Sequence, residues 1–379
     1  DVIRRTIGAI RTMRLLDQDD AIWAGPEQHR NGPPRTISDF RLIRIAGRGG
    51  MGIVYEAEQI SLGRRVALKV LPYAAILDDR ALQRFRNEVT AAAQLDHPNI
   101  VPVHGVGCER GVHHYAMRFV EGVTLSVIIK QLREMRDNHR KFPDSLGSIS
   151  VLANSKTPDS LTVEDDVSSS VANYSSDPES WKSVHLPPHY FRSMARLAGT
   201  VAEALDHAHQ QGVIHRDIKP SNLIVDANGK CWITDFGLAH VETNTALTIT
   251  GDLLGTARYM SPEQLMAKRL VLDHRTDIYS LGITLYQLLT LVLPFDSDSR
   301  QELYRQIMMD EPVRPRKLHP AIPLDLETIV LKAIDKNPAD RYQTAQEMAD
   351  DLGNFVEQKP ILARPASFGV KARRWLQRN

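Results

Sequence analysis

The chain has 379 residues, a length that suits a two-lobed enzyme better than a single average domain. Hydrophobic residues make up 42% of it and charged residues 25%, the balance of an ordinary globular protein. The formal net charge of +1 gives no electrostatic reason to expect nucleic acid as a partner, and we predict none.

The first third of the chain predicts a flank followed by a small sheet. Residues 1–36 combine an amphipathic pattern with a run rich in breakers, which indicates a flank and linker. Alternating apolar residues then surround a glycine cluster, a pattern typical of two strands joined by a tight loop. A third strand in "RRVALKVL", a helix in "DDRALQRFRNEVTAAAQL" and two short apolar runs complete a β-rich lobe over residues 37–121.

Residues 122–356 predict a larger, mainly helical lobe. A stretch rich in serine and acidic residues, without sustained periodicity, interrupts it at about 136–184 and is interpreted as a surface insertion. The longest apolar run, Leu281 to Phe295, is too short to cross a bilayer and predicts a buried core helix. Residues 357–379 are basic and contain proline, which indicates a tail outside the fold.

A β-hairpin in "NLIVDANGKCWITD" is the first indication of chemistry. Asn228-Gly229 is a strong signal for a two-residue turn, and centring the turn there pairs Leu223 with Thr234. The same register places Asn222 opposite Asp235, so that two hard oxygen ligands meet, as a hydrated Mg²⁺ beside phosphates requires. The alternative is that both residues only cap the ends of strands, where Asp and Asn are common.

The glycine cluster "GRGGMGIV" fits the pattern G-x-G-x-x-G-x-V and continues as a strand. A dinucleotide-binding fold would open a helix at the third glycine, so the pattern favours a flap over phosphates. A P-loop is excluded because no Gly-Lys-Ser/Thr follows. Lys69, in the apolar strand "VALKV", would need an anion if it is buried, and Glu88 on the following helix is the predicted partner. The alternative for Lys69 is an ordinary solvated side chain.

Together these residues resemble those of a protein kinase, specifically a bacterial Ser/Thr kinase of the eukaryotic-like type. The resemblance covers roughly residues 39–356 and implies an α+β, two-lobed kinase fold. A small antiparallel β-rich N-lobe with one helix would precede a larger, mainly helical C-lobe. The motifs that carry the resemblance occur in the order of the family: Gly47-Gly49-Gly52-Val54, Val66-Ala67-Leu68-Lys69, Glu88, His215-Arg216-Asp217 with Asn222, Asp235-Phe236-Gly237 and Ser261-Pro262-Glu263.

The resemblance implies transfer of the γ-phosphoryl group of ATP to serine or threonine hydroxyls of protein substrates. Asp217 would accept the proton of the hydroxyl, and Lys219 would stabilise charge on the phosphoryl group. Lys69, held by Glu88, would bind the α- and β-phosphates. Thr256, in the substrate-binding end of the activation segment, is expected beside Asp217 and Lys219.

The resemblance also assigns the metal and the nucleotide. Asn222 and Asp235 would hold Mg²⁺, or Mn²⁺ in its place. ATP would be bound by the flap, by the strand that carries the lysine and by the last residues of the β-rich lobe: Gly47, Gly49, Gly50, Gly52, Val54, Ala67, Lys69, Met117, Arg118 and Val120.

Thr248 and Thr250 resemble threonines that bacterial relatives autophosphorylate. A phosphate at either position would pair with Arg216 and order the loop. The alternative is that both are ordinary loop residues. Two further matches, Asp277 and an ion pair between Arg341 and Glu263, are assigned to the scaffold.

A catalytically inactive nucleotide-binding scaffold is the alternative function. Such a protein would normally have lost the lysine, the catalytic aspartate or the chelating aspartate, whereas Lys69, Asp217 and Asp235 are all present. The neighbouring His207, His209 and His215 do not predict a metal site, because the first two face different ways on a helix.

The location follows from composition and from the resemblance. Only two cysteines occur, which favours a reducing compartment, and we expect a cytoplasmic protein. The basic tail resembles the juxtamembrane segment of larger receptor-like kinases, so membrane attachment would come only through a segment outside this chain. The resemblance also allows a dimer of kinase domains.

Overall fold

The structure is a computed structural model that describes residues 36–49, 52–71, 79–109, 111–138, 186–236, 250–266 and 272–364. All but the last residue of the predicted flank, nearly all of the predicted insertion and the end of the predicted tail lie outside these ranges.

An antiparallel sheet of six strands, in the order β1-β2-β3-β4-β6-β5, forms the N-terminal lobe. Its single described helix, α1 (Asp79–Ala92), lies between β4 and β5 in the chain. The predicted strands and helix of this lobe are therefore confirmed. The strands are β1 (Thr36–Ile37), β2 (Phe40–Gly49), β3 (Gly52–Gln59), β4 (Arg64–Val70), β5 (Val103–Glu109) and β6 (Val112–Arg118).

Both faces of this sheet are apolar, because alternate residues of each strand point to opposite sides. Tyr55 and Leu68 belong to a cluster on the outer face. Ala67 and Met117 belong to a second cluster, which also contains Phe85 of α1. This second face looks onto the other lobe, and it carries the predicted nucleotide contacts.

The C-terminal lobe is mainly helical, as predicted. Its helices are α2 (Leu125–Asp137), α3 (Pro188–Gln210), α4 (Thr250–Ala257), α5 (Pro262–Leu265), α6 (Arg275–Thr290), α7 (Arg300–Met309), α8 (Pro315–Leu318), α9 (Leu324–Ala333) and α10 (Ala345–Val356), with 3₁₀ turns at Pro220–Asn222 and Pro338–Asp340. In the described ranges, every helix is too short or too polar to span a bilayer.

Helix α6 lies at the centre of this lobe. Its residues are buried from Thr276 to Thr290, which confirms the predicted core helix. The helix ends before the apolar run does, because Leu291 adopts a left-handed conformation with φ of 58°. Leu291 and Phe295 remain buried beyond the end of the helix.

A small antiparallel sheet lies beneath the cleft between the lobes, with β7 (Gly122–Thr124), β8 (Leu223–Asp226) and β9 (Cys231–Ile233) in that order. Its register corrects our prediction, because Leu223 lies opposite Ile233 rather than Thr234. Asn222 accordingly faces Thr234, whose amide donates to the Asn222 carbonyl at 3.0 Å. Asn222 and Asp235 are therefore not the directly opposed pair that we predicted.

The carboxylate of Asp226 explains the shift in register. Its Oδ1 accepts hydrogen bonds from the amides of Asn228 at 2.9 Å and Lys230 at 3.0 Å, which closes a three-residue loop. Gly229 supplies the left-handed residue of this loop, with φ of 80°. The loop therefore contains one residue more than the two-residue turn that Asn228-Gly229 predicts.

The ends of the lobe also differ from the predicted boundaries. Helix α2 continues through Asp137, so the described fold runs slightly into the predicted insertion. At the other end, the amides of Leu362 and Ala363 donate to the buried carboxylate of Asp351 at 2.6 and 2.9 Å. The packed chain therefore continues beyond Val356.

Candidate active site

The backbone around the predicted catalytic residue is held by one buried carboxylate. Asp277, on α6, accepts hydrogen bonds from the amides of His215 at 2.8 Å and Arg216 at 2.7 Å. The imidazole of His209 lies 2.8 Å from the same carboxylate. Arg216 has φ of 66°, a strained conformation that these bonds stabilise. The scaffold role predicted for Asp277 thus acts directly on the loop that carries Asp217.

The side chain of His215 fixes the loop from below. Its Nε2 donates to the carbonyl of Thr234 at 2.9 Å, and its Nδ1 accepts from the amide of Asp217 at 3.2 Å. These bonds assign the neutral Nε2–H tautomer. The ring also packs edge-on against Phe236 at 4.6 Å. In the described residues, no group of three or more His, Cys, Asp or Glu side chains is placed to hold a metal.

The predicted catalytic residues lie together at the mouth of this loop. The ammonium of Lys219 lies 3.1 Å from Oδ2 of Asp217 and donates to the hydroxyl of Thr256 at 2.8 Å. The side-chain amide of Asn222 donates to Oδ2 of Asp217 at 3.0 Å and to its carbonyl at 2.8 Å. Asp217 is therefore a nearly buried carboxylate whose orientation is set by two neighbours, as a positioned general base requires.

Lys69 makes a buried ion pair across the cleft. Its ammonium lies 2.9 Å from Oδ1 of Asp235, and the hydroxyl of Tyr115 donates to the same oxygen at 2.6 Å. Burial opposes ionisation of Asp235, but the charge of Lys69 and these hydrogen bonds outweigh it, so the pKa of Asp235 is lowered. Burial, and then the charge of Asp235, raise the pKa of Tyr115 well above its ordinary value.

Glu88 lies beside a different cation. Its Oε1 is 3.5 Å from Nη1 of Arg216, the arginine that we expected to receive a phosphate. The structure thus brings Glu88 of α1 to the catalytic loop. The predicted pair of Glu88 with Lys69 stays a prediction.

The donor atoms that remain at Asn222 and Asp235 fit a magnesium ion. The side-chain nitrogen of Asn222 is turned toward Asp217, which leaves its carbonyl oxygen as the atom for a metal. The ammonium of Lys69 and the hydroxyl of Tyr115 both contact Oδ1 of Asp235, and Oδ2 is the second oxygen that a metal could take. A carboxylate and an amide oxygen are hard ligands, and Mg²⁺ commonly takes only one or two protein ligands beside phosphates.

The predicted flap is a hairpin of β2 and β3 in which Gly47 faces Val54 and Gly49 faces Gly52. Gly52 has φ of 118°, and a Cβ atom at this position would collide with the carbonyl oxygen of Val70. No other residue type fits there without moving the strand. This tight approach holds the C-terminal strand of the flap against β4.

The remaining predicted nucleotide contacts lie on one surface below the flap. Val54, Ala67 and Met117 belong to the apolar cluster that faces the cleft. The amide of Arg118 donates to the carbonyl of Pro102 at 3.0 Å, so it is already bonded within the protein. Val120 follows at the rim and is partly exposed. The surface is suited to one flat face of a purine base.

The substrate-binding segment is tied to the catalytic loop through α5. Ser261, which replaces the alanine common in the family, forms a capping box with Gln264. The side-chain amide of Gln264 donates to the carbonyl of Arg216 at 2.7 Å. Behind this helix, the guanidinium of Arg341 contacts both carboxylate oxygens of Glu263 at 2.6 and 2.8 Å, as predicted.

Part of the predicted site falls outside the described residues. Gly50 and Thr248 lie there, together with Gly237 of the Asp-Phe-Gly motif. Thr250 begins α4, but only its backbone is described.

Tyr115 is the site residue that the sequence analysis missed. It precedes Asp235 by 120 positions, and no motif joins the two. The two-residue period of β6 puts Tyr115 on the same face as Met117, which was assigned to the cleft. This alternation in β6 was the sequence signal that could have placed Tyr115 in the cleft.

Comparisons with known proteins agree with this geometry. The family model described as "Protein kinase domain" matches residues 40–145 and 179–352. The chain belongs to this family. The family model leaves residues 146–178 unmatched, and these lie inside the predicted insertion, whose two ends the model does match.

Characterised bacterial relatives are similar over most of the chain. Serine/threonine-protein kinase PrkC of Bacillus subtilis is 33% identical over 318 residues, which are 84% of this chain and 40% of the relative. Serine/threonine-protein kinase PknB of Mycobacterium leprae is 34% identical over 325 residues, which are 84% of this chain and 43% of the relative. The chain thus spans less than half the length of these relatives.

Solved structures confirm the fold. The crystal structure of the Mycobacterium tuberculosis PknI kinase domain superposes with a TM-score of 0.56 and 24% identity, covering 85% of this chain and 98% of that one. The predicted two-lobed kinase fold is therefore correct.

Proposed function

We propose that this protein kinase domain transfers the γ-phosphoryl group of ATP to serine or threonine hydroxyls of proteins. The observation that carries the proposal is the group formed by Asp217, Lys219 and Thr256, in which one ammonium bridges a buried carboxylate and a hydroxyl. The relatives named above, which are serine/threonine-protein kinases, support the choice of acceptor.

The chemistry divides between the two lobes. Asp217 accepts the proton of the attacking hydroxyl, and Lys219 neutralises charge on the transferred group. Lys69 binds phosphate oxygens from the opposite wall of the cleft. When bound through Asn222 and Asp235, Mg²⁺, or Mn²⁺ in its place, supplies further charge neutralisation. Most of the rate enhancement comes from position and electrostatics, because the protein forms no covalent intermediate in this scheme.

The proposal is tested by incubating the purified chain with γ-³²P-ATP, Mg²⁺ and a generic protein acceptor. We expect label on phosphoserine and phosphothreonine, a strong loss with Asp217→Asn, and full labelling with the exposed control Asp96→Asn. Replacement of Mg²⁺ by Mn²⁺ defines the metal. An Asp217→Asn protein that still labels the acceptor at the wild-type rate contradicts the assignment.

We also propose that activity rises after autophosphorylation at Thr248 or Thr250. The support is that Arg216, a cation of the catalytic loop, is partly exposed and already pairs with the carboxylate of Glu88 at 3.5 Å. A phosphate would be a stronger partner for this guanidinium. Phosphatase treatment and a Thr248→Ala/Thr250→Ala variant should lower turnover equally, and unchanged turnover in both contradicts the switch.

We also propose where the domain is located in the cell and how it would be attached to a membrane. We infer a cytoplasmic kinase domain that can form a dimer of kinase domains, with any membrane segment located in a part of the protein outside this chain. The lengths of the relatives leave room for such parts, since the chain covers 40% and 43% of them. Fractionation of cells that express the full-length protein tests this directly.

A further inference from the structure

A chain of charged side chains crosses the base of the flap hairpin. At its centre is Glu56 of β3, which is 5% exposed. Tyr55 and Ala57 on either side of it belong to the outer cluster, so Glu56 points to the opposite, cleft-facing side with Val54. It lies directly across from Ala67 of β4. A buried carboxylate therefore stands on the surface that is predicted to contact the nucleotide.

Arginines from both neighbouring strands neutralise this carboxylate. Arg44 of β2 lies across from Glu56, with its Nη2 2.8 Å from Oε2. Arg65 of β4 donates from Nε to Oε1 at 2.9 Å. An ionised carboxylate buried to this extent needs such partners. Glu56 thus joins all three strands at the base of the flap.

Arg65 carries the connection onward to the segment that links the lobes. Its Nη1 also contacts the carboxylate of Glu121, and its guanidinium lies 4.8 Å from the centre of the Phe119 ring. The pKa of Arg65 is raised, first by the hydrogen bond to Glu56 and also by that to Glu121. One guanidinium therefore connects the flap strands with the segment between Arg118 and Val120, whose main chain is predicted to bind adenine.

The neighbouring charged pair on the same hairpin lacks this connection. Glu58 lies two positions after Glu56 on the same strand and pairs with Arg41 of β2 at 3.0 Å. Both side chains are well exposed, at 36% and 47%. Although Glu58 is the cross-strand neighbour of Arg65, the carboxylates that bind Arg65 are Glu56 and Glu121. Glu58 is thus a matched control of the same type, strand and face.

We propose that Glu56 is a positioning residue for the nucleotide. Through Arg44 and Arg65 it fixes the base of the flap hairpin relative to the segment that links the lobes. It thereby sets the distance between the flap and this segment, which is the height of the proposed ATP pocket. The inference rests on the proposed nucleotide site and goes further, since it assigns the geometry of that site to residues that contact no phosphate.

The test compares Glu56→Gln with Glu58→Gln in the full chain. Glutamine keeps the shape of each side chain but removes the charge. We expect Glu56→Gln to raise the KM for ATP and the Kd for Mg·ATP about fivefold, with kcat changed less than twofold, because binding is lost uniformly. Glu58→Gln should leave both values at those of wild type. Thermal unfolding without nucleotide reports any loss of folding separately.

A second variant keeps the test valid if Glu56→Gln unfolds. Arg65→Gln alters a half-exposed side chain and should raise the KM for ATP similarly, whereas the double variant should add little to either single change. Equal KM values for Glu56→Gln, Glu58→Gln and wild type would overturn the inference. An equal rise in the KM for ATP in Glu56→Gln and Glu58→Gln would overturn it too. A wild-type chain that binds no ATP refutes the proposed function instead.

Discussion

The two lobes hold their parts of the site in different ways. In the C-terminal lobe, buried carboxylates bond directly to the backbone: Asp277 binds the amides of His215 and Arg216. In the N-terminal lobe, charged side chains meet one another across strands and across the cleft, as Lys69 does with Asp235. The backbone of the catalytic loop is thus held by main-chain hydrogen bonds to a carboxylate, whereas Lys69 and the flap strands are held by ion pairs between side chains.

This difference has a functional consequence. Buried hydrogen bonds restrict the backbone that carries Asp217, so the proposed general base would be preorganised before substrate binds. Ion pairs between long side chains can exchange partners, as Glu88 and Arg216 would on phosphorylation. In the proposed mechanism, the C-terminal lobe would therefore supply the catalytic groups, and the N-terminal lobe would supply nucleotide binding that ion pairs can adjust.

Breaking the buried ion pair of the C-terminal lobe should have the largest effect on stability. Arg341→Met leaves Glu263 buried without its cation, and we expect the free energy of unfolding to fall by about 3–5 kcal/mol. Denaturant unfolding measures the change. A double-mutant cycle with Glu263→Gln should recover part of the loss, and strict additivity would argue against a coupled pair.

Asp277→Asn should come next, and it should affect stability and turnover together. The amide replaces one acceptor oxygen by a donor that faces the amides of His215 and Arg216, so we expect a loss of about 2–3 kcal/mol. Displacement of Asp217 should lower kcat about a hundredfold with a smaller change in the KM for ATP. Asp350→Asn, on the exposed side of α10, is the control. A normal kcat in a destabilised Asp277→Asn protein would show that Asp277 stabilises the fold but does not position Asp217 for catalysis.

Lys69→Met should have a smaller effect that depends on pH. The folded pKa of Asp235 is lowered, so its ionised form stabilises the native state above the ordinary value of 3.8, and this contribution is lost as pH falls through the lowered value. Removal of the ammonium should cost about 1–2 kcal/mol at neutral pH. The difference from wild type should shrink in unfolding experiments below about pH 4. A difference independent of pH would indicate lost packing alone.

Much of the fold could be predicted because its signals are local. The alternation of β2 to β6 and the long apolar run of α6 each follow from burial of one face or of the whole helix. The order of the kinase motifs along the chain predicted that the β-rich lobe precedes the helical lobe. The group of Asp217, Lys219 and Thr256 was likewise within reach of motif spacing.

Two parts of the site were not predicted: one depends on a local side-chain hydrogen bond and the other on a contact over a long separation. Asn228-Gly229 predicted a two-residue turn, but the carboxylate of Asp226 recruited one more residue and shifted the register by one. The contact of Tyr115 with Asp235 depends on how the lobes approach each other. The Asp226 loop is a local turn that competes with the two-residue turn favoured by Asn228-Gly229, whereas local propensity contains no information on the contact of Tyr115 with Asp235.

Tyr115→Phe should have the smallest effect, and it is the most specific probe of the N-terminal lobe. It removes one buried hydroxyl and leaves the ring packed against Phe85, so we expect a loss of about 1 kcal/mol at neutral pH. Because that hydroxyl lowers the pKa of Asp235, part of this loss should also fade at low pH. The Kd for Mg·ATP should rise severalfold, since Oδ1 of Asp235 loses a bond that orients the carboxylate. Tyr304→Phe, on α7, is the control, because it removes a hydroxyl from a partly buried tyrosine that accepts a hydrogen bond from Arg300 instead of contacting the site. If Tyr115→Phe binds Mg·ATP as wild type does, the hydroxyl of Tyr115 is not needed to orient Asp235. The ion pair with Lys69 would then be the contact from the N-terminal lobe that orients this carboxylate.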